Sequence, residues 1–148
     1  MVPNRQFTLD IGPFQLHDGK ACVHPTASDP SCEWDVTLTR TERWSAHQRF
    51  LLVVLNADHS LGSGAWDYVF VYRCVQNVYV PAFSERYLYG AKVEVGDPAD
   101  LWITAGVWGP KDPTCCASMM RRSHLAWKER QKRFVVTESH VWTTQKSK

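Results

Sequence analysis

The 148-residue sequence holds no apolar run of the ~18 residues that a membrane-spanning helix requires. It has no Cys-x-x-Cys pair and no well-separated set of Cys and His ligands, so no tight zinc site is expected. No loop carries the spaced carboxylates of a calcium site. No established catalytic motif is present, and no cofactor is implied. The formal net charge of +2 is too small to call for a nucleic-acid partner. Internal repeats, low-complexity stretches and linkers are absent, so residues 1–148 are expected to form a single domain. Met1-Val-Pro-Asn-Arg5 lacks the basic and apolar pattern of a leader. Five cysteines nevertheless favour an oxidising compartment, and the expectation is an exported protein with its leader removed; the cytoplasm is the alternative.

What is present is strand-like. Phe7 and Leu9 alternate with polar neighbours before a Gly12-Pro13 break and a second short strand. Residues 17–33 carry Pro25 and Asp29-Pro30 and read as a loop. Cys22 and Cys32 bracket it, and a disulfide between them would restrain it by roughly 2–3 kcal/mol in the chain-entropy model. From Trp34 to Arg40, Trp34, Val36 and Leu38 share one face. Thr41 could cap a short helix. Phe50 to Leu55 is the most apolar run and reads as a central strand. Asp67 to Cys74 is the strongest strand, with Tyr68, Phe70, Tyr72 and Cys74 on one face and Val69 and Val71 on the other. A turn near Gln76-Asn77 leads to Val78–Phe83, where Pro81 suggests a sheet edge. Lys92–Val95 is short and alternating, and Leu101–Trp108 places Leu101, Ile103 and Ala105 together. Residues 119–134 admit a helix by propensity or a hairpin by alternation. The hairpin is preferred, with Leu125 and Trp127 inward, because Phe134-Val-Val-Thr137 needs a partner. The fold class is therefore mainly β: a single antiparallel domain, a sheet or sandwich of short strands with at most one or two short helices. An α+β fold is the runner-up.

The stretch Val107-Trp-Gly-Pro-Lys-Asp-Pro-Thr-Cys-Cys-Ala-Ser118 is the most distinctive. Gly109-Pro110 and Asp112-Pro113 break the strand at Trp108 and impose a rigid, largely extended loop. Cys115 and Cys116 follow, as a disulfide anchor, a metal pair or a nucleophile. A bond from Cys74 to Cys116 would tie the central sheet to the C-terminal hairpin, closing roughly forty residues for about 3–4 kcal/mol; Cys115 is the second choice of partner. A bond between the adjacent cysteines would be strained. As an enzyme, the chain would pair Cys115 or Cys116 with His124 or His140, oriented by Asp112 or Glu138. As a binding protein, it would use the basic segment Arg121, Arg122, Lys128, Arg130, Lys132 and Arg133 for an acidic partner or anionic envelope polymer, with Trp127 to stack on it. Seven tryptophans are many for this length, and Trp44, Trp66 and Trp108 lie in or beside loops, where exposed rings favour recognition. The candidate binding residues are Trp108, Arg121, Arg122 and Trp127.

From Leu51 onward the chain resembles small bacterial exported proteins related to the LppP/LprE lipoproteins. The matching stretches are Leu52-Val-Val-Leu55, Gly62-Ser-Gly64, Tyr68–Tyr72, Tyr89–Val95 and Gly109-Pro-Lys-Asp-Pro-Thr-Cys-Cys-Ala-Ser118. The Cys-Cys loop is the specific part. Ala117 stands where that family usually has proline, and Glu42–Gln48 replaces an acidic segment. The resemblance implies a periplasmic or lipid-anchored protein and supplies no activity; no lipobox cysteine is present. Together these features lead to an expected non-catalytic exported binding or interaction module, with an inhibitor or immunity-type protein for an envelope-acting enzyme as a variant of that reading. Its partner would be a protein or an envelope polymer. The alternative is a thiol-dependent enzyme or redox protein using Cys115 or Cys116 with His124.

Overall fold

The computed structural model describes residues 5–26, 28–44, 49–60, 62, 64–96, 99–113 and 116–144. Every regular element among them is a strand, and all pairings are antiparallel. The strands are β1 (Gln6–Leu9), β2 (Gly12–Gln15), β3 (Lys20–Val23), β4 (Trp34–Trp44), β5 (Phe50–His59), β6 (Ala65–Val75), β7 (Val78–Leu88), β8 (Lys92–Gly96), β9 (Asp100–Val107), β10 (Met119–Lys128) and β11 (Arg133–Thr143). They form a five-stranded sheet in the order β3-β4-β5-β6-β7, a four-stranded sheet in the order β11-β10-β9-β8, and the separate hairpin β1-β2.

The hydrophobic pattern dictates three layers. On one face of the five-stranded sheet, Leu52, Val54, Val69 and Val71 pack against Leu101, Ile103, Leu125 and Phe134 of the four-stranded sheet. On its other face, Leu51, Val53, Leu55, Tyr68, Phe70 and Tyr72 pack against Phe7, Phe14 and Leu16. Strands β5 and β6 are thus covered on both sides. That is why Phe50–Leu55 shows no polar alternation: both of its faces are interior. The Tyr68/Phe70/Tyr72 and Val69/Val71 faces divide between the two cores as alternation requires.

The Gln76-Asn77 turn forms, with φ of 49° and 63° at its two residues. Such values belong to a two-residue hairpin turn whose twist matches the strands. Strand β7 is an edge, and Pro81 and a register shift opposite Val71 and Tyr72 keep its ladder from continuing outward. The C-terminal hairpin also forms: Leu125 is buried and Trp127 packs on Phe50 and Phe134. Three expectations need correcting. The loop expected over 17–33 contains β3, which pairs with β4. Thr41 caps no helix, because β4 runs through it to Trp44. β5 extends through Asn56 to His59, since Asn56, Ala57 and Asp58 pair with Asp67, Trp66 and Ala65, and His59 pairs with Trp34 of β4.

Cys22 and Cys32 form the expected disulfide, joining β3 to the segment that enters β4. The bond expected between Cys74 and Cys116 does not form. Cys74 is an exposed free thiol, and Cys116 is disulfide-bonded elsewhere; Cys115 lies outside the described residues. The reason is distance along the sandwich. Trp108, which opens the Cys-Cys loop, packs on Trp66 at the start of β6. Cys74 lies at the far end of that strand, roughly 26 Å away at ~3.3 Å per residue. Alkylation of the unreduced protein should therefore label Cys74, and Cys74→Ser should leave the melting temperature within about 2 °C of the parent. A drop of several degrees would show that Cys74 is bonded after all.

Candidate functional site

Two turns meet at one end of the sandwich, and a carboxyl group holds each. Asp67, near the start of β6, is buried to 6% exposure. Its Oδ2 accepts hydrogen bonds from the amides of Gly90 and Ala91 at 2.8 and 2.9 Å, and its Oδ1 accepts one from Asn56 Nδ2 at 3.2 Å. The turn after β7 is thereby fixed, and Gly90 takes a φ of 88° that a side chain would resist. Asp112 does the same for the loop after β9. Its Oδ2 accepts from the Gly109 amide at 2.5 Å and from the Ser118 amide and hydroxyl at 2.7 and 2.8 Å. The Gly109 and Ser118 bonds hold the Asp112 carboxyl below its ordinary value. Asp112 thus ties Gly109, where the loop leaves Trp108, to Ser118, where it enters β10.

These clamps present the two most exposed aromatic side chains among the described residues, Tyr89 at 70% and Trp108 at 46%. Both line a hollow of ≈ 650 Å³ with Trp66, Leu88 and Met120. Gly64, Gly90, Gly106, Ala65 and Ala117 complete its lining, which leaves it open. Gly106 packs closely there: a Cβ would come within 3.3 Å of Ala117 Cβ. Trp66 meets Trp108 edge to face at 6.0 Å. Its other neighbour is Arg86, whose guanidinium lies 4.0 Å over the ring. Arg86 is itself paired with Asp10, which accepts the Tyr68 hydroxyl at 2.6 Å. Burial, and then the Asp10 bond, push the Tyr68 hydroxyl well above its usual value, so it stays a donor.

A second hollow, of ≈ 440 Å³, lies on the outer face of the four-stranded sheet, lined by Trp102, Arg122, Glu138, His140 and Trp142. The register explains the grouping. Trp102, His124 and Glu138 form one cross-strand row; Thr104, Arg122 and His140 form the next. Arg122 stacks on Trp102 at 4.3 Å and pairs with Glu94. His124 lies against the same indole, with Asp100 at 2.9 Å and Thr137 at 2.6 Å from its ring nitrogens. Trp142 stacks on His140.

Of the four binding residues expected from sequence, Trp108 lines the first hollow and Arg122 the second. Arg121 lines neither hollow. Trp127 is a core-edge residue: it packs on Phe50 and Phe134, lies under Arg73, and donates to Glu129. The basic segment is not one patch. Arg122 pairs with Glu94 and Lys132 with Glu129, and the Lys132 and Trp127 bonds bring the Glu129 carboxyl down to about 2. Nor does the structure bring Cys116 to His124. Cys116 is in a disulfide, and the β10 segment from Met119 to His124 alone spans roughly 16 Å. Tyr89, Trp102 and Trp142 are the residues that sequence reading did not assign to a site; Trp66 was noted only as a loop tryptophan, and Glu138 and His140 only as members of a thiol site. Alternation could have placed Arg122 and His124 on one face of β10; the register joining them to Trp102, Glu138 and His140 had no sequence signal.

The fold and site define a layered antiparallel β protein with a disulfide and a preorganised aromatic surface. No protein family, curated protein or solved structure matches the chain.

Proposed function

We propose that this protein is a non-catalytic, exported binding module whose ligand sits in the hollow between Tyr89 and Trp108. One observation carries the reading: two highly exposed aromatic rings stand on turns clamped by Asp67 and Asp112, across an opening lined with glycines. Aromatic surface in water is costly, and stiffening it removes the ordering penalty on binding. The Cys22–Cys32 disulfide supports an oxidising compartment. The thiol-enzyme alternative loses support from the disulfide at Cys116 and its separation from His124.

The reading is tested by following tryptophan fluorescence while the protein is titrated with polysaccharide, peptide and lipid fractions of a bacterial envelope in turn. Saturable binding to one fraction is expected, weakened tenfold or more by Trp108→Ala at unchanged melting temperature. The tenfold figure is the low end of what removing a buried aromatic anchor costs. Binding unaffected by Trp108→Ala, or no binding to any fraction, would refute the site.

A further inference from the structure

We infer that the ligand is a neutral glycan chain, held with one sugar in the Tyr89–Trp108 hollow and continuing along the outer face into the Arg122–Trp142 hollow. This rests on the binding-module reading above and gives it a chemical class. The two hollows adjoin. Met120 lines the first, and its cross-strand partner Trp142 lines the second. Met120, Arg122 and His124 alternate along β10 and so share one face. The path from Met120 to the His124 row is roughly 13 Å of strand. An open track of that length suits a linear polymer better than a compact small molecule.

The chemistry along the track selects the polymer. Exposed indole and phenol faces are electron-rich, and they match the C–H face of a sugar ring. The polar groups are planar hydrogen-bonding side chains that already have partners: Arg122 is paired with Glu94, and His124 Nε2 lies 2.9 Å from Asp100 Oδ1. Glu138 remains as an acceptor beside His140. A phosphate backbone or acidic polymer would meet Glu94, Asp100 and Glu138. A purely apolar ligand would strip water from Arg122 and Glu138 without replacing their hydrogen bonds. Uncharged hydroxyls satisfy both kinds of group.

The test uses the full chain and neutral oligosaccharides, from dimers to hexamers of the chito- and cello- series, with tryptophan fluorescence as readout. Affinity is expected to rise at least tenfold from dimer to hexamer. Trp142→Ala and Glu138→Gln should erase most of that gain and leave dimer affinity unchanged. Trp108→Ala should weaken every length by tenfold or more. Both tryptophans are exposed, and an unchanged melting curve shows that each variant is folded. Equal affinity for dimer and hexamer, or a Trp142→Ala variant that behaves as the parent, would overturn the continuous track. No binding to any neutral oligosaccharide would overturn the glycan assignment. If peptides then bind in a Trp108-dependent way, the binding-module reading survives; if nothing binds, both fall.

Discussion

Phe50→Ala should lower the melting temperature by about 10–15 °C, the largest loss expected from any single substitution here. Phe50 is 1% exposed and opens β5. Its ring lies within 5.0–5.3 Å of those of Trp44, Trp127 and Phe134. It therefore joins the end of β4 to the C-terminal hairpin across the inter-sheet core. Truncating a buried phenylalanine costs about 3–5 kcal/mol, from lost transfer energy and the cavity left behind. For a chain of this length each kcal/mol corresponds to about 3–4 °C. Phe50→Leu keeps much of the volume and should lose less than half as much. Thermal unfolding by circular dichroism decides it; a Phe50→Ala variant melting within 3 °C of the parent would mean that the two sheets do not meet there.

Asp67→Ala should cost about 2–3 kcal/mol and, in addition, disable the aromatic hollow. The substitution removes the acceptor shared by the Gly90 and Ala91 amides and leaves Asn56 with only the Trp66 carbonyl. Hydrogen bonds to a carboxyl group carry more than neutral ones, and a polar group left unpaired indoors adds to the loss. The turn that carries Tyr89 then loses its anchor. Ligand affinity should fall with it, whereas Phe50→Ala, at the other end of β6, should leave affinity intact below its lowered melting point. Amide exchange at Gly90 and Ala91 provides the local check: it should accelerate far more than exchange in the centre of β6. Unchanged exchange there would show that Asp67 does not hold the turn.

Much of the layering was readable from the chain. The unbroken Phe50–Leu55 run marked a central strand, and alternation separated Tyr68/Phe70/Tyr72 from Val69/Val71; that both faces of this sheet are covered emerged only from the packing. Asn77 and Gln76 marked a hairpin turn, and the need of Phe134–Thr137 for a partner correctly outweighed helix propensity over residues 119–128. The short strand β3 was hidden because Lys20-Ala-Cys-Val23 is too brief to show a period, and its pairing with β4 is tertiary. The Cys22–Cys32 bond was legible from the chain, but the Cys74–Cys116 pairing failed for a similar reason: spacing along the chain does not reveal that Cys74 and the Trp108 loop occupy opposite ends of β6. The site was half legible. The two prolines announced a rigid loop and flagged Trp108. Nothing local showed that Asp67, distant in sequence, clamps the Tyr89 turn facing it, or that the β10–β11 register sets His140 beside Arg122.

The most direct measurement is the set of indole N–H signals in a nitrogen–proton correlation spectrum during titration with a neutral hexasaccharide. The protein has seven tryptophans, and they divide by position. Trp66 and Trp108 line the first hollow, and Trp102 and Trp142 the second. Trp34, Trp44 and Trp127 pack against the cores. The account predicts that the first four signals move in a saturable manner while the other three stay fixed. Shifts confined to Trp34, Trp44 or Trp127, or a spectrum that does not change at all, would contradict it.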